Sequence, residues 1–368
     1  MKWSWRIGSI AGIDILVHGT FVLLLLWVGV SHYLPRHSLG DVGSGIVFIL
    51  ALFAIVVLHE LGHALTARRF GIRARDITLL PIGGVARLER MPEDPRQELL
   101  VAIAGPAVNA VLALALFVIL TPLGGPGPFR AFSLVGGDFL GKLFWINVSL
   151  AVFNLIPAFP MDGGRVLRAL LAMRGDYVRA TQTAAGIGQG IALFLGFAGL
   201  FTNPFLVFIA LFVWMGASAE ASTVQLRSAL AGIPVSRAMI SEFRTLRLSD
   251  TLNDGVRYIL AGFQQDFPVV DQERVVGVLT RSGLLTVLAD RGPTTPVSEA
   301  MERSFETAEA NEMLASALSR LEACECHALP VLSAGRLVGI LTMDNVGEFL
   351  LVHAAVGGRR STSTLINA

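Results

Sequence analysis

Long apolar runs dominate the first 222 residues of this 368-residue chain. A helix that crosses a bilayer needs about 20 mostly apolar residues. Six runs of suitable length predict transmembrane helices at residues 15–33, 43–66, 99–123, 139–157, 183–201 and 205–222. The fifth run is rich in Gly and Ala, which suit close helix packing in lipid as well as they suit a loop. The pattern predicts a polytopic α-helical membrane domain of about six transmembrane helices over residues 1–222.

Apolar and polar residues alternate over shorter distances in residues 223–368. Residues 267–280 (FPVVDQERVVGVLT) match residues 329–342 (LPVLSAGRLVGILT) almost position by position. The alternation and the β-branched residues predict a strand, a turn and a second strand in each copy, followed by a helix. Apolar residues at helical spacing in 251–262 and 311–323 predict a helix ahead of each hairpin. A repeat with a period of about 60 residues indicates two similar α/β units that pack together.

The composition supports a membrane-embedded first part and a water-soluble second part. Hydrophobic residues make up 53% of the chain and charged residues only 15%, whereas soluble domains average about 25% charged residues. The net charge of +1 argues against a nucleic-acid partner, because proteins that bind nucleic acids usually carry a marked basic excess. The two cysteines, Cys324 and Cys326, are too close in sequence to form a disulfide framework, and they indicate a reducing compartment.

Basic residues near the ends of the predicted spans are unevenly divided between the two sides of the membrane. One side carries Lys2, Arg6, Arg68, Arg69, Arg73, Arg75, Arg87, Arg90, Arg96, Arg165, Arg168, Arg174, Arg179, Arg227 and Arg237. The other side has only Arg36, Arg130 and Lys142. Since positively charged loops stay in the cytoplasm, the pattern predicts a multi-pass protein of the cell membrane with both termini, and the second domain, in the cytoplasm.

The strongest chemical signal is the H-E-x-x-H sequence His59-Glu60-Leu61-Gly62-His63, at the end of the second apolar run. Residues four apart share one face of a helix, so His59 and His63 can both offer a nitrogen to one Zn²⁺. Glu60 lies beside them and is placed to act as a general base toward water. Ionisable residues at the end of an apolar run are costly and usually functional. The motif therefore predicts one zinc ion per chain.

A third zinc ligand is expected, because catalytic zinc usually has three protein ligands and one open position. Two further spans after His63 return the chain to the same side of the membrane, at residues 154–165 (NLIPAFPMDGGR). Asp162 lies at the matching depth and is followed by two glycines that let the backbone depart from a helix. Asp162 is therefore the predicted third ligand. A helix cap or an ion pair with Arg165 is the alternative role for this carboxylate.

These motifs resemble the site-2 protease family of intramembrane zinc metalloproteases. The resemblance covers most of residues 1–222 and rests on His59–His63, Pro81–Gly84, Glu98, Ala104–Pro106 with Asn109, and Asn154–Arg165. The six-span layout followed by a repeat is similar to the subgroup with paired cystathionine-β-synthase (CBS) domains. That subgroup implies tandem cytosolic CBS domains at about 233–290 and 294–352, within a second domain over 223–368.

The resemblance also implies roles for residues outside the ligand set. Asn154 matches a membrane-embedded asparagine that is expected to contact the substrate or support the transition state. Gly83 and Gly84 match a re-entrant strand that receives an extended substrate. A scissile peptide must leave its helix, and an edge strand can satisfy the backbone groups that are then freed. A plain turn is the alternative for Gly83 and Gly84.

The implied function is hydrolysis of a peptide bond within or near the transmembrane segment of a membrane protein, in regulated intramembrane proteolysis. The implied partners are a transmembrane substrate and the lipid bilayer. The alternative is a CBS-regulated transporter or channel, in which intramembrane His and Asp side chains line a metal-ion path. Glu60 distinguishes the two functions, because a transporter needs ligands but has no need of a base between two histidines.

The CBS resemblance implies an adenine nucleotide in the cleft between the repeats. In the family motif, a Thr or Ser lies near phosphate and an Asp three residues later binds the ribose. Thr280 and Thr342 keep the hydroxyl, but Gly283 and Asn345 replace the Asp. We expect weak ATP or AMP binding at best, centred on Thr342 and Asn345. The alternative is an empty cleft in a lid or in a module that forms a homodimer.

Two weaker features complete the set of candidates. His18 lies inside the first predicted span, where a packed histidine bonded to a carbonyl is expected, with a gating role as the alternative. The tract Cys324-Glu-Cys326-His327 is similar to a metal-binding sequence. A fourth ligand is not evident near it, so metal binding is not the expected role.

Overall fold

A computed structural model of the chain describes residues 3–81, 83–88, 92, 94–121, 139–262, 264–323 and 328–364. The contacts within it define two compact units, Met1–Val224 and Gln225–Ala368. The Cys324–His327 tract lies outside the described residues, so the structure does not bear on its chemistry.

The first unit contains a four-stranded sheet that the apolar pattern did not predict. Its strands are β1 (Ser4–Ile10), β2 (Ile13–His18), β3 (Ala74–Leu80) and β4 (Gly83–Leu88), in the order β1-β2-β3-β4. Strands β2 and β3 pair in parallel, and the other two pairs are antiparallel. One face of the sheet packs on the helices, because Ile13, Ile15, Ile77 and Leu79 belong to one buried cluster with Phe21, Phe53, Val57 and Leu61.

The predicted start of the first span is wrong by four residues. Residues 15–18 belong to β2, and the helix α1 begins at Gly19 and ends at Arg36. His18 is its N-cap, and the Nδ1 atom accepts a hydrogen bond from the Thr20 amide. A hydropathy window cannot separate a buried strand from the apolar helix that follows it, because both are apolar.

Among the described residues, α1 is followed by six more helices, the last of which ends just past the boundary of the first unit: α2 (Leu39–Arg69), α3 (Pro95–Leu120), α4 (Phe139–Asn154), α5 (Asp162–Ala172), α6 (Tyr177–Phe201) and α7 (Phe205–Ala229). By length and composition, α2, α3, α6 and α7 could each cross a membrane, whereas α1 and α4 contain shorter apolar stretches, Gly19–Leu34 and Phe139–Asn154. Helix α5 was not predicted. It is amphipathic and short, and it packs against α3 and α6.

The second unit contains two copies of one α/β arrangement, as the repeat predicts. The first copy has β5 (Leu246–Arg247), α8 (Leu252–Ala261), β6 (Phe267–Asp271), β7 (Arg274–Leu279) and α9 (Arg281–Arg291). The second copy has β8 (Ala308–Glu309), α10 (Leu314–Ala323), β9 (Ala328–Ser333), β10 (Arg336–Thr342) and α11 (Met343–Thr364). The sheets have equivalent orders, β5-β6-β7 and β8-β9-β10. The two-residue strands β5 and β8 were not predicted.

The two copies pack through an exchange of short segments. Ile240, ahead of the first copy, bridges to Ile340 in β10, and Glu302, ahead of the second copy, bridges to Val278 in β7. A Cβ atom on Gly339 would lie 2.6 Å from the Met239 sulfur, and the equivalent Gly277 has the same relation to Met301, at 2.7 Å. The matching glycines in the repeat are therefore required by close approach of the two copies.

Candidate metal centre

Three buried side chains from two helices converge in the first unit. His59 and His63 lie one turn apart on α2, and Asp162 is the first residue of α5. They are only 6%, 6% and 8% exposed, so their polar atoms are withdrawn from solvent. Asp162 follows the N-cap residue Met161, and its carboxylate faces both histidines rather than capping the helix.

The spacing of the three ligand atoms fits a zinc ion. The two Nε2 atoms are 3.1 Å apart, and each lies 3.2 Å from Oδ2 of Asp162. Ligand atoms at about 2.0–2.2 Å from a tetrahedral Zn²⁺ would be about 3.3–3.6 Å apart, slightly farther than in this structure. In the described part of the chain, His59, His63 and Asp162 form the group of metal-binding side chains that could hold one ion. Two imidazoles and one carboxylate leave a fourth position open for water or substrate.

The surroundings of His63 fix which of its nitrogens is free to bind metal. Its Nδ1 atom lies 2.7 Å from the carbonyl oxygen of Val101 in α3. A carbonyl oxygen only accepts hydrogen bonds, so Nδ1 must carry the proton and Nε2 must present its lone pair. The buried Nδ1 atom of His59 has no hydrogen-bond partner among the described residues.

Gly105 of α3 forms the wall of the site opposite the histidines. A Cβ atom there would lie 2.1 Å from Nε2 of His63 and 2.7 Å from Nε2 of His59. Helices α2 and α3 also approach each other closely at Gly62 of α2, where a Cβ atom would lie 2.8 Å from the carbonyl oxygen of Ala104 in α3. Small residues let two membrane helices approach closely. Here the close approach brings the backbone of α3 against the ligand nitrogens.

Glu60 and the glycine pair are neighbours in space. Gly83 and Gly84 begin β4, which pairs with β3 on one side only and is therefore an edge of the sheet. A Cβ atom on Gly84 would lie 3.1 Å from Cγ of Glu60 and 2.8 Å from a methyl group of Val56. Among the described residues, β4 therefore presents a free strand edge beside Glu60, and a side chain at position 84 would crowd Val56 and Glu60.

Asn154 lies at the end of α4, half-buried, and a tight loop connects it to Asp162. Within this loop Ala158 and Phe159 are fully buried. Ala158 approaches Gly188 of α6, and Pro160 approaches Gly216 of α7 at distances that leave no room for a larger residue. The loop is therefore held by α6 and α7, which fixes the position from which Asp162 projects.

Sequence reasoning missed a buried ion cluster next to this site. Arg168 of α5 pairs with Glu98 of α3 and with Glu220 of α7. The signal was present, since these charges interrupt or flank apolar segments where ionisable groups are costly. The pairing itself was not predictable, because it depends on how three helices distant in sequence pack.

The nucleotide candidates of the second unit differ in their access to a cavity of about 1040 Å³ between the two copies. Thr342 and Asn345 line this cavity. Thr280 is 1% exposed, and its hydroxyl accepts a hydrogen bond from the Gly283 amide at the start of α9. The charged residues of the lining are one base, Arg281, and four acids, Glu242, Asp266, Asp344 and Glu348. This balance disfavours tight binding of a polyphosphate.

Comparison with known proteins identifies the class. A family model described as peptidase family M50 matches residues 47–136 and 130–197. The CBS domain model matches residues 235–290 and 297–351. The chain thus has the features of a multi-pass membrane metalloprotease with a CBS pair. It belongs to peptidase family M50, the site-2 proteases.

Individual relatives agree with this assignment. A zinc metalloprotease of Methanocaldococcus jannaschii is 35% identical over 281 residues, which are 76% of this chain and 78% of the relative. A Synechocystis protein that is named as a zinc metalloprotease is 30% identical to this chain. The alignment covers 96% of this chain and 97% of the relative. A solved site-2 protease from Methanocaldococcus jannaschii is 39% identical and covers 60% of this chain and 95% of its own, with a TM-score of 0.44. Because the two sequence relatives show its family, the chain is an intramembrane zinc metalloprotease, and the transporter alternative has no support.

Proposed function

We propose that His59, His63 and Asp162 hold the zinc ion of this protease and that Glu60 is its general base. The proposal is carried by one observation, the convergence of the three ligand atoms within 3.1–3.2 Å of one another beside Glu60. When bound, Zn²⁺ supplies a Lewis acid that polarises a carbonyl group and makes water more acidic.

Three features near the proposed zinc site suggest how the peptide bond is cut: the edge of β4, Glu60 and Asn154. The edge of β4 at Gly83 and Gly84 binds an unwound substrate segment by main-chain hydrogen bonds, which keeps its backbone groups satisfied. Glu60 takes a proton from the attacking water and returns it to the leaving amine. Asn154 donates a hydrogen bond from its amide to the substrate or to the developing oxyanion.

A comparison of zinc content and cleavage separates the base from the ligands. Glu60→Gln should retain zinc, because no ligand is changed, and should lose at least about 100-fold in the rate of substrate cleavage. Asp162→Ala should lose most of the zinc as well as the activity. The control is Glu322→Gln, at an exposed position in α10, which should leave both quantities unchanged. A Glu60→Gln protein that cleaves a single-span substrate at the wild-type rate would disprove the assignment of the base.

We infer further that α1 and α4 also cross the membrane, which gives six spans, and that both termini face the cytoplasm of the cell. The basic residues cluster at the C-terminal end of α2, which supports this orientation. The test uses a variant with Cys324 and Cys326 replaced by serine. A membrane-impermeant maleimide added to intact cells should label Leu39→Cys and miss Arg73→Cys, whereas the reverse labelling would overturn the orientation.

For the second domain, over residues 223–368, we propose CBS units at about 233–290 and 294–352 that bind ATP or AMP weakly at best. Thr342 and Asn345 support this site because they line the cavity between the copies. The acidic lining and the capped hydroxyl of Thr280 argue against a second, tight site. A homodimer through these units, with an empty cleft, is the competing proposal, and analytical ultracentrifugation with and without nucleotide distinguishes them.

A further inference from the structure

The ion cluster around Arg168 is the most extensive buried polar feature in the described part of the first unit that the proposed mechanism does not use. Arg168 and Glu98 are 1% and 2% exposed. The Nε atom of Arg168 donates to Oε1 of Glu98 at 2.8 Å, and Nη2 donates to the same oxygen. The remaining terminal nitrogen, Nη1, donates to Oε1 of Glu220. The guanidinium therefore links α5 to both α3 and α7.

Two aromatic rings lie against the same guanidinium. Its central carbon lies 5.1 Å from the ring centre of Phe159 and 5.1 Å from that of Tyr177. Phe159 belongs to the loop that leads into Asp162, and Tyr177 begins α6. Arginine combines this stacking with a rigid fork of donors, a combination that lysine cannot reproduce.

The cluster joins α5, which carries the ligand Asp162, to α3, which orients the ligand His63. Asp162 and Arg168 lie on α5, six residues apart, which is about 9 Å along the axis. Glu98 and Val101 lie on α3, less than one turn apart, and Val101 accepts the hydrogen bond that orients His63. The bond between Arg168 and Glu98 therefore ties the helix of the carboxylate ligand to the helix that sets the direction of a histidine ligand.

Stability alone does not explain why charges occupy this place. A buried ion pair often contributes no more than well-packed apolar residues of similar size. The second oxygen of Glu98 is buried without a hydrogen-bond partner among the described residues, and an unsatisfied buried acceptor is destabilising. What the cluster provides, and apolar packing lacks, is directional bonding between the helices.

We propose that Arg168 is a positioning residue, which holds Asp162 at bonding distance from the metal shared with His59 and His63. This inference rests on the proposed ligand set. Loss of the guanidinium releases α5 from α3, so Asp162 is no longer fixed relative to the two imidazoles. The metal then binds more weakly and in an altered geometry, while the substrate-binding edge of β4 is unaffected.

The test compares Arg168→Lys, Arg168→Met and Glu220→Ala in the whole chain in nanodiscs. Zinc affinity is measured by competition with a chelator, and ligand geometry by the visible absorption of the Co²⁺-substituted protein. We expect a 10–100-fold loss of zinc affinity in both Arg168 variants, the usual cost of removing support for a metal ligand, with an altered Co²⁺ spectrum. The value of kcat should fall with KM nearly unchanged. Glu220→Ala, which removes only the partly exposed arm of the cluster, should give a smaller loss in the same direction.

A matched control is Arg174→Met, which removes an exposed guanidinium just beyond α5 and should keep wild-type affinity and spectrum. Wild-type zinc affinity and Co²⁺ spectrum in a folded Arg168→Lys or Glu220→Ala protein would overturn the positioning role, and Glu220→Ala serves where the Arg168 variants do not fold. A His59→Ala protein that retains zinc would instead refute the ligand set. The two failures are therefore distinguishable.

Discussion

A single added methyl group at Gly105 should disable the metal centre. The Cβ atom of Gly105→Ala would lie 2.1 Å from Nε2 of His63 and 2.7 Å from Nε2 of His59. Carbon and nitrogen atoms that are not bonded need about 3.4 Å or more. The methyl group would therefore occupy the space in front of both ligand nitrogens, without any change to a ligand, to the base or to the net charge.

The size of the effect follows from these distances. Relief of the closer contact requires a relative movement of more than about 1 Å between α3 and the His63 ring. Metal–ligand distances in protein sites lie within about 0.2 Å of their usual values. At least one coordination bond should be lost, and we expect zinc affinity to fall by at least about 100-fold, which is about 2.8 kcal/mol at 1.4 kcal/mol per tenfold change.

Chelator competition on the purified protein measures the zinc affinity directly, and a substrate assay should show a parallel loss of cleavage. Gly186→Ala and Gly190→Ala on α6 are matched controls, because a Cβ atom at either position meets nothing within 4 Å. Both controls should bind zinc as the wild type does. A Gly105→Ala protein with wild-type zinc affinity would refute the close approach of α3 to the histidines and, with it, the geometry of the site.

Three further predictions concern the strand edge and the second unit. Gly84→Ala should retain zinc but lower kcat/KM by 10-fold or more, because its Cβ would crowd Glu60 at 3.1 Å; kinetics and metal analysis test this. Titration calorimetry should detect ATP or AMP binding that is weak and is lost in Thr342→Val, and tight two-site binding in that variant would contradict it. Thr251→Ala removes the capping box of α8 and should cost the 225–368 fragment about 1 kcal/mol in urea unfolding. The hydrogen bonds from Thr251 lower the pKa of Asp254, so this cost should be present at neutral pH and shrink as the pH falls below about 4.

The elements that could be predicted are those whose pattern is complete within one continuous stretch of sequence. Long apolar runs predict helices α2, α3, α6 and α7, since span length is a property of the run itself. The repeat predicts both hairpins of the second unit, because alternation in β6 and β7 recurs in β9 and β10. The H-E-x-x-H pair needs only one helix to bring His59 and His63 together.

The elements that were missed depend on neighbours far away in sequence. Strand β2 merges with α1 into one apolar stretch, and β3 is a strand because it pairs with β2 about 60 residues earlier. The two-residue strands β5 and β8 have no periodicity to detect. The role of Gly105 is visible only once α3 lies against α2, since a glycine in an apolar helix has many packing explanations.

Ionisable residues within the apolar part of the chain indicate functional or paired sites more generally than the H-E-x-x-H motif does. In the part of the first unit that the structure describes, the buried charged or imidazole side chains fall into three groups: the histidines with Asp162, Glu98 with Arg168, and Asp76. Asp76 of β3 forms an ion pair with Arg87 of β4, with 2.8 Å between Oδ2 and Nη2, and this pair links the edge strand to its neighbour. Burying such groups is costly unless each has a partner, so each must have a specific counterpart in the fold. The sequence therefore shows which of these residues need a partner, and only the packing of α5 against α3 shows that Arg168 is the partner of Glu98.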